Sequence, residues 1–178
     1  MAEYKMFGRF AYIAKLRNDI FRNMGSCLAP MDAYLNVIGM ETLGLRMERI
    51  CENAERLAEA ANGRNGVRAT HPTLLDSPYH KLSSEQLNGH GGGIVTLHAG
   101  SKERAYELLN ALTLATNATN IGDTRTLVIH PASTIYAFNT PGEKEASGVY
   151  EDTIRVSCGI EDTDDLVGDF VNAIDRLG

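Results

Sequence analysis

The apolar residues of this chain change rhythm twice between its start and its end. From residue 7 to 40 they crowd together: Phe7, Phe10, Ala11, Ile13, Ala14, Leu16, Ile20 and Phe21 fall on more than one face of a helix. A lone surface helix shows a single, narrower stripe, so these helices are expected to be sandwiched, either inside the same domain or against a partner. Gly25 and Pro30 bracket a break, and Ala33-Tyr34-Leu35-Asn36-Val37-Ile38 resumes a helix that ends near Gly39. The spacing then becomes regular. Leu43, Met47, Ile50, Ala54, Leu57 and Ala61 recur at alternating intervals of four and three, with charges between them. That pattern predicts a long amphipathic helix from about Thr42 to Ala61, stopped at Asn62-Gly63.

After this helix the period shortens. Val67 to His71 reads as a short strand ahead of Pro72, and residues 73–92, rich in Ser, Asn, His, Pro and Gly, read as a surface loop. Ile94 to His98 alternates apolar and polar residues, a strand with one buried face. Ser101 caps a helix whose core face is Ala105, Leu108, Leu109 and Leu112. Thr126 to Ile129 is another strand. Thr140-Pro141-Gly142-Glu143 combines a Thr cap, Pro at the first position and Glu three residues on, a helix start. Ile154, Val156 and Cys158 alternate with Arg155 and Ser157 in a last strand. The final helix runs from about Thr163, with Glu161 and Asp162 suited to its positive end and Leu166, Phe170, Ile174 and Leu177 on its apolar face. Helices first, then strands alternating with helices, predict a mixed α/β fold of α+β character: N-terminal helices, then a small mixed or antiparallel sheet with helices packed on one face. No internal repeat, low-complexity stretch or dividing linker is visible.

Composition narrows the functional classes. A chain of 178 residues with 43% hydrophobic and 22% charged residues has the make-up of one ordinary globular domain with a single core, not of a disordered or fibrous protein. No apolar run approaches the roughly 20 residues of a membrane helix, and Met1-Ala2-Glu3-Tyr4-Lys5 has no apolar core like that of a secretory signal. A cytoplasmic protein with no membrane partner is expected. The net charge of −6 argues against a nucleic-acid partner. The one basic cluster, Arg46, Arg49 and Arg56, is interleaved with Glu48, Glu52, Glu55 and Glu59, the pattern of a solvated helix face. Cys27, Cys51 and Cys158 are far apart and form no C-x-x-C pair, so free thiols are expected, with Cys158 as core filler.

Little in the sequence advertises chemistry. Gly89-His90-Gly91-Gly92-Gly93 precedes a strand rather than a helix, so it reads as a tight turn and not as a phosphate cradle. The five histidines show no ligand spacing on a common face, and no metal site is expected. There is no Gly-x-Ser-x-Gly nucleophile turn. Arg155 is the odd residue. It stands mid-strand between Ile154 and Val156, where its guanidinium must reach solvent or find a partner. A strand arginine on the polar face is usually just solvated; the alternative is a planar fork that binds a carboxylate in bidentate fashion.

Three stretches carry a family resemblance: Gly39-Met40-Glu41-Thr42-Leu43-Gly44-Leu45-Arg46-Met47, His130-Pro131-Ala132-Ser133-Thr134, and Ile154-Arg155-Val156-Ser157-Cys158-Gly159-Ile160-Glu161-Asp162. In this order they resemble the C-terminal domains of the pyridoxal-phosphate-dependent enzymes of Cys/Met metabolism, fold-type I proteins that include cystathionine gamma-synthase, methionine gamma-lyase and O-acetylhomoserine sulfhydrylase. The resemblance runs from about Tyr4 to Leu177. Asn120-Ile121-Gly122-Asp123-Thr124 and Ser26-Cys27-Leu28-Ala29-Pro30-Met31-Asp32-Ala33-Tyr34-Leu35 look most like the sulfhydrylase version.

The resemblance implies residues 1–40 as linker helices that contact a missing N-terminal cofactor domain, and 41–178 as a substrate-binding domain. It implies that Arg155 binds the α-carboxylate of an amino-acid substrate, that Asn120 and the backbone of Ile121 form a polar shelf beside it, and that Thr119 and Ile135 line the pocket. It further implies a homo-oligomer with pyridoxal phosphate in the intact enzyme. That enzyme would be a transferase replacing the acetate of O-acetylhomoserine by sulfide or a thiol, giving homocysteine or methionine. The family's Schiff-base lysine follows a Ser-x-Thr pattern, and none of Lys5, Lys15, Lys81, Lys102 or Lys144 has that context. No catalytic or cofactor-binding residue is therefore expected in this chain, and alone it is expected neither to bind the cofactor nor to catalyse. Two alternatives stay open: a stand-alone interaction domain that partners a separate N-terminal half, and a gamma-synthase or gamma-lyase of the same family.

Overall fold

A computed structural model describes residues 2–178 of the chain. They divide into two compact units, the first ending at Thr42 and the second spanning Leu43–Gly178. The boundary is a turn between two helices rather than a linker, which is why no composition shift marks it.

The first unit is built from helical segments. A 3-10 segment over Ala2–Phe10 leads into α1 (Ala11–Lys15), a π-helical turn over Leu16–Phe21 and α2 (Arg22–Met24). After a break, α3 (Pro30–Glu41) begins with proline in its first turn, where a missing N–H costs nothing. Asp19 ties the early turns together by accepting from the Tyr4 hydroxyl and from Lys15, the latter at 2.7 Å. Apolar side chains are exposed along the unit, among them Phe10, Tyr12, Ile20, Phe21, Met24, Leu35 and Ile38. The sandwiching expected from the sequence is not met within this unit: apolar positions all round a helix need more neighbours than these short segments supply.

The second unit opens with α4 (Leu43–Ala61), as its four-three spacing requires. Its later turns bury Ile50, Ala54, Leu57 and Ala61, while Leu43 and Met47 at its start are exposed. There follow β1 (Arg68–Thr70), α5 (His80–Gln86), β2 (Ile94–His98), α6 (Lys102–Ala111), β3 (Thr116–Asn117), β4 (Leu127–Ile129), α7 (Pro141–Ala146), β5 (Thr153–Ser157) and α8 (Thr163–Asp175). The caps fall where the sequence places them. Ser101 accepts from the Arg104 N–H, and Thr140 and Glu143 form a reciprocal capping box. Two features were not expected: β3 is a separate two-residue strand, and the segment 73–92 is not all loop but contains α5. The Ser83 hydroxyl of α5 donates to the His90 carbonyl at 2.5 Å, and His80 Nδ1 lies 2.9 Å from the Thr73 carbonyl. Side-chain hydrogen bonds, not an apolar stripe, fold that segment back on itself.

The five strands form one mixed sheet in the order β1-β2-β5-β4-β3, antiparallel except for the β3–β4 pair. On one face Val95, Leu97, Val128, Ile154 and Val156 pack with Leu57 of α4, Leu108 of α6 and Leu166, Phe170 and Ile174 of α8 in a single buried core. This is the mixed α/β architecture expected from the sequence. The glycine run before β2 is a turn, and its tightness has a cause. Gly91 lies against the ring of His71, where any Cβ would overlap the imidazole. His71 is buried, with Nε2 3.1 Å from the Gly92 carbonyl and Nδ1 2.7 Å from the Thr73 hydroxyl. Burial pulls its pKa below the usual histidine value.

Candidate functional site

β5 is the middle strand of the sheet, and Arg155 is its middle residue. The register sets Arg155 beside Thr96 of β2 and Ile129 of β4. Residues directly opposite in an antiparallel pair share a face, so these three project away from the core helices. The neighbours Ile154 and Val156 fill the core on the other face. Strand alternation thus fixes which way the guanidinium points.

No carboxylate pairs with Arg155 among the described residues. Its Nη2 donates to the Asn120 carbonyl at 3.2 Å, and its Nε is buried with no acceptor. A buried donor left unmade costs on the order of 1–3 kcal/mol. By contrast, Arg49, Arg56, Arg64 and Arg125 each pair with an acid. Arg155 is therefore a cation held by the sheet and short of an anion.

The loop between β3 and β4 supplies the carbonyl that Arg155 bonds. Thr119, Asn120 and Ile121 lie on it, all exposed. The Gly122 N–H donates to the Ser157 hydroxyl at 3.3 Å, and the Ile160 N–H donates to the Thr124 carbonyl at 2.9 Å. The loop thus lies along the end of β5. The structure brings Asn120 to Arg155 directly, through its carbonyl, and sets Thr119 and Ile121 on either side of it in the chain. Ile135 follows the 3-10 turn Pro131–Ser133 after β4, is exposed, and makes no described contact with Arg155. That turn is fixed by His130, whose Nδ1 lies 2.8 Å from the Ser133 hydroxyl and whose Nε2 lies 2.8 Å from the Glu151 carbonyl.

Other chemistries lack support here. Cys158 is buried, and burial pushes its thiol up to about 12, while burial also raises Cys51. Neither is a thiolate at neutral pH. Among the described residues no three of His, Cys, Asp and Glu gather as metal ligands would. His98 and Asp152, 3.4 Å apart, line a cleft of about 410 Å³ with Arg68 and Tyr150, which takes in none of the residues singled out from the sequence.

The chain matches the family described as Cys/Met metabolism PLP-dependent enzyme over residues 6–175. It belongs to that family. Relatives include O-acetyl-L-homoserine sulfhydrylase 1 of Thermus thermophilus, 36% identical over 170 residues, covering 94% of this chain and 40% of the relative. L-methionine gamma-lyase of Treponema denticola is also 36% identical, over 172 residues, covering 96% of this chain and 43% of the relative. Among solved structures, a putative O-acetylhomoserine (thiol)-lyase from Campylobacter jejuni superposes with a TM-score of 0.84 at 32% identity, covering 95% of this chain and 40% of that one, and it carries N'-pyridoxyl-lysine-5'-monophosphate. The chain thus spans about two fifths of the length of these relatives. No described helix is long and apolar enough to cross a membrane.

Lys15, Lys81, Lys102 and Lys144 are each paired with a carboxylate, and none is tied to the Arg155 site.

Proposed function

We propose that this chain is the substrate-binding part of a pyridoxal-phosphate-dependent enzyme that exchanges the acetyl group of O-acetylhomoserine for sulfide or a thiol. In this reading Arg155 grips the α-carboxylate of the amino acid, and the Asn120-Ile121 backbone forms the opposite wall. Thr119 and Ile135 close the pocket. The observation that carries it is the Arg155 guanidinium, with a buried Nε lacking any acceptor and a single carbonyl on Nη2. A carboxylate supplies the missing acceptors and the missing charge together.

The rest of the intact enzyme holds the cofactor and its lysine. The cofactor supplies the electron sink for chemistry at the amino acid. This chain holds the substrate by its carboxylate and so sets its orientation toward that sink. Residues 1–40 meet the cofactor domain, and the enzyme works as a homo-oligomer in the cytoplasm. The separated chain, without the lysine, does not turn over substrate. A gamma-lyase of the same family is the second reading, favoured by a lyase relative as similar as the sulfhydrylase one. Both use the same carboxylate grip.

In the cofactor-loaded full-length enzyme, Arg155→Ala raises KM for the amino acid roughly tenfold to a hundredfold, the value of a charge-assisted fork. KM for sulfide changes little. An amino-acid KM that stays put means Arg155 is a solvated strand residue and ends this reading. Product analysis with and without sulfide separates replacement from elimination.

A further inference from the structure

Glu161 looks in the sequence like helix-terminal charge, but its carboxylate turns the other way. One oxygen accepts the Thr126 N–H at 2.5 Å and the other accepts the Thr126 hydroxyl at 2.8 Å. The Thr126 hydroxyl oxygen in turn accepts the Gly159 N–H at 2.9 Å. Both Thr126 and Gly159 are buried. Gly159 must be glycine for this, since a Cβ there would overlap the Thr124 carbonyl and the Arg125 backbone. The turn is anchored from behind by fully buried Asn53, whose amide donates to the Gly159 and Glu161 carbonyls, each at 3.0 Å, and whose oxygen accepts the Thr163 hydroxyl at 2.6 Å.

These bonds form one continuous path. It runs from α4 through Asn53 to the turn after β5, through Glu161 to Thr126, and along the preceding loop to the Asn120 carbonyl on Arg155 Nη2. We propose that Glu161 is a positioning residue of the carboxylate site: a latch that fixes the 119–125 loop on the end of β5 and so sets the geometry of Arg155. The inference rests on the reading of Arg155 given above. Its physical basis is that an ionised carboxylate accepting two bonds from one residue fixes direction as well as distance. A loop held at Thr126 and tied at Gly122 and Thr124 has little freedom at Asn120.

The test uses the 178-residue chain, labelled with nitrogen-15. In Glu161→Gln one acceptor becomes a donor facing the Thr126 N–H or hydroxyl. The Arg155 Nε–H resonance and the amide signals of Asn120 and Gly122 then shift and exchange faster with solvent, while Val95 and Val156 in the sheet keep theirs. Thr126→Val, which removes only the hydroxyl, produces the same selective shift if Glu161→Gln folds poorly, and Thr126→Ser restores the wild-type signals. In the loaded full-length enzyme, Glu161→Gln raises the amino-acid KM at least about threefold, since a small misplacement of a binding group is enough, with KM for sulfide unchanged. Arg155, Asn120 and Gly122 signals that stay in place in both Glu161→Gln and Thr126→Val overturn the latch, as does movement only together with the whole sheet. The Arg155→Ala kinetics separate the two ideas. A raised KM there with unmoved signals overturns the latch alone, whereas an unchanged KM removes the site the latch serves and overturns both.

Discussion

Phe10 and Phe170 both lie on apolar faces of helical segments and end in opposite surroundings. Phe170 is 0% exposed, enclosed by the core beneath the sheet, while Phe10 is 59% exposed. The difference does not come from either residue. In α8 the apolar positions Leu166, Phe170 and Ile174 form one stripe, and the strands supply a matching apolar face in Val95, Leu97, Ile154 and Val156. Among the described residues up to Thr42 there is no strand, and the apolar positions surround the helical segments. The second unit carries the partner of each apolar face in its own sequence. The first carries exposed apolar side chains without such a face.

Replacing the two phenylalanines sharpens this contrast most. Phe170→Ala costs about 3–5 kcal/mol in chemical or thermal unfolding, because it leaves a cavity in a closed core. Phe10→Ala changes stability by less than about 0.5 kcal/mol, as a surface substitution does. Equal losses at the two positions would dissolve the comparison and place Phe10 in a core of its own.

A smaller effect distinguishes the second unit through pH. Burial alone would raise the Asp169 carboxyl, but donation from the Thr113 hydroxyl and from the backbone N–H groups of Thr113, Leu114 and Ala115 outweighs it and holds the pKa below the ordinary value. A depressed folded pKa gives stability that is present above the unfolded value, about 3.9, and that is lost as pH falls through the folded one. Asp169→Asn therefore lowers stability by about 1 kcal/mol at neutral pH, a value discounted for partial exposure. The gap to wild type closes as the pH falls below about 4. A gap that persists undiminished in acid would mean that Asp169 acts through packing rather than charge.

Most of the second unit was legible because its signals are local. The α4 period, the Ser101 and Thr140 caps and the alternation in β2 each depend on residues within one or two turns, and the helices and strands fall there. α5 was not legible because its seven residues offer no apolar stripe, and hydrogen bonds from Ser83 and His80 to distant carbonyls hold the segment. Glu161 was misread for a related reason. Asp162 beside it does cap α8, accepting from the N–H groups of Asp164 and Asp165, but Glu161 bonds to Thr126, thirty-five positions away. Of the site itself, the strangeness of Arg155 in a strand was visible, and so was its resemblance to a carboxylate-binding arginine. The unpaired Nε and the Asn120 carbonyl on Nη2 required the fold, since both depend on how the loop lies on β5.

The central claim is that Arg155 holds a substrate carboxylate. The most direct measurement is a crystal structure of the cofactor-loaded full-length enzyme with an unreactive amino-acid analogue bound. The account predicts the analogue's carboxylate forked on Arg155, with one oxygen on the Nε that now has no acceptor and Asn120 on the loop beside it. A carboxylate bound by another cation, with Arg155 Nε still unpaired and Nη2 still on the Asn120 carbonyl, would contradict it.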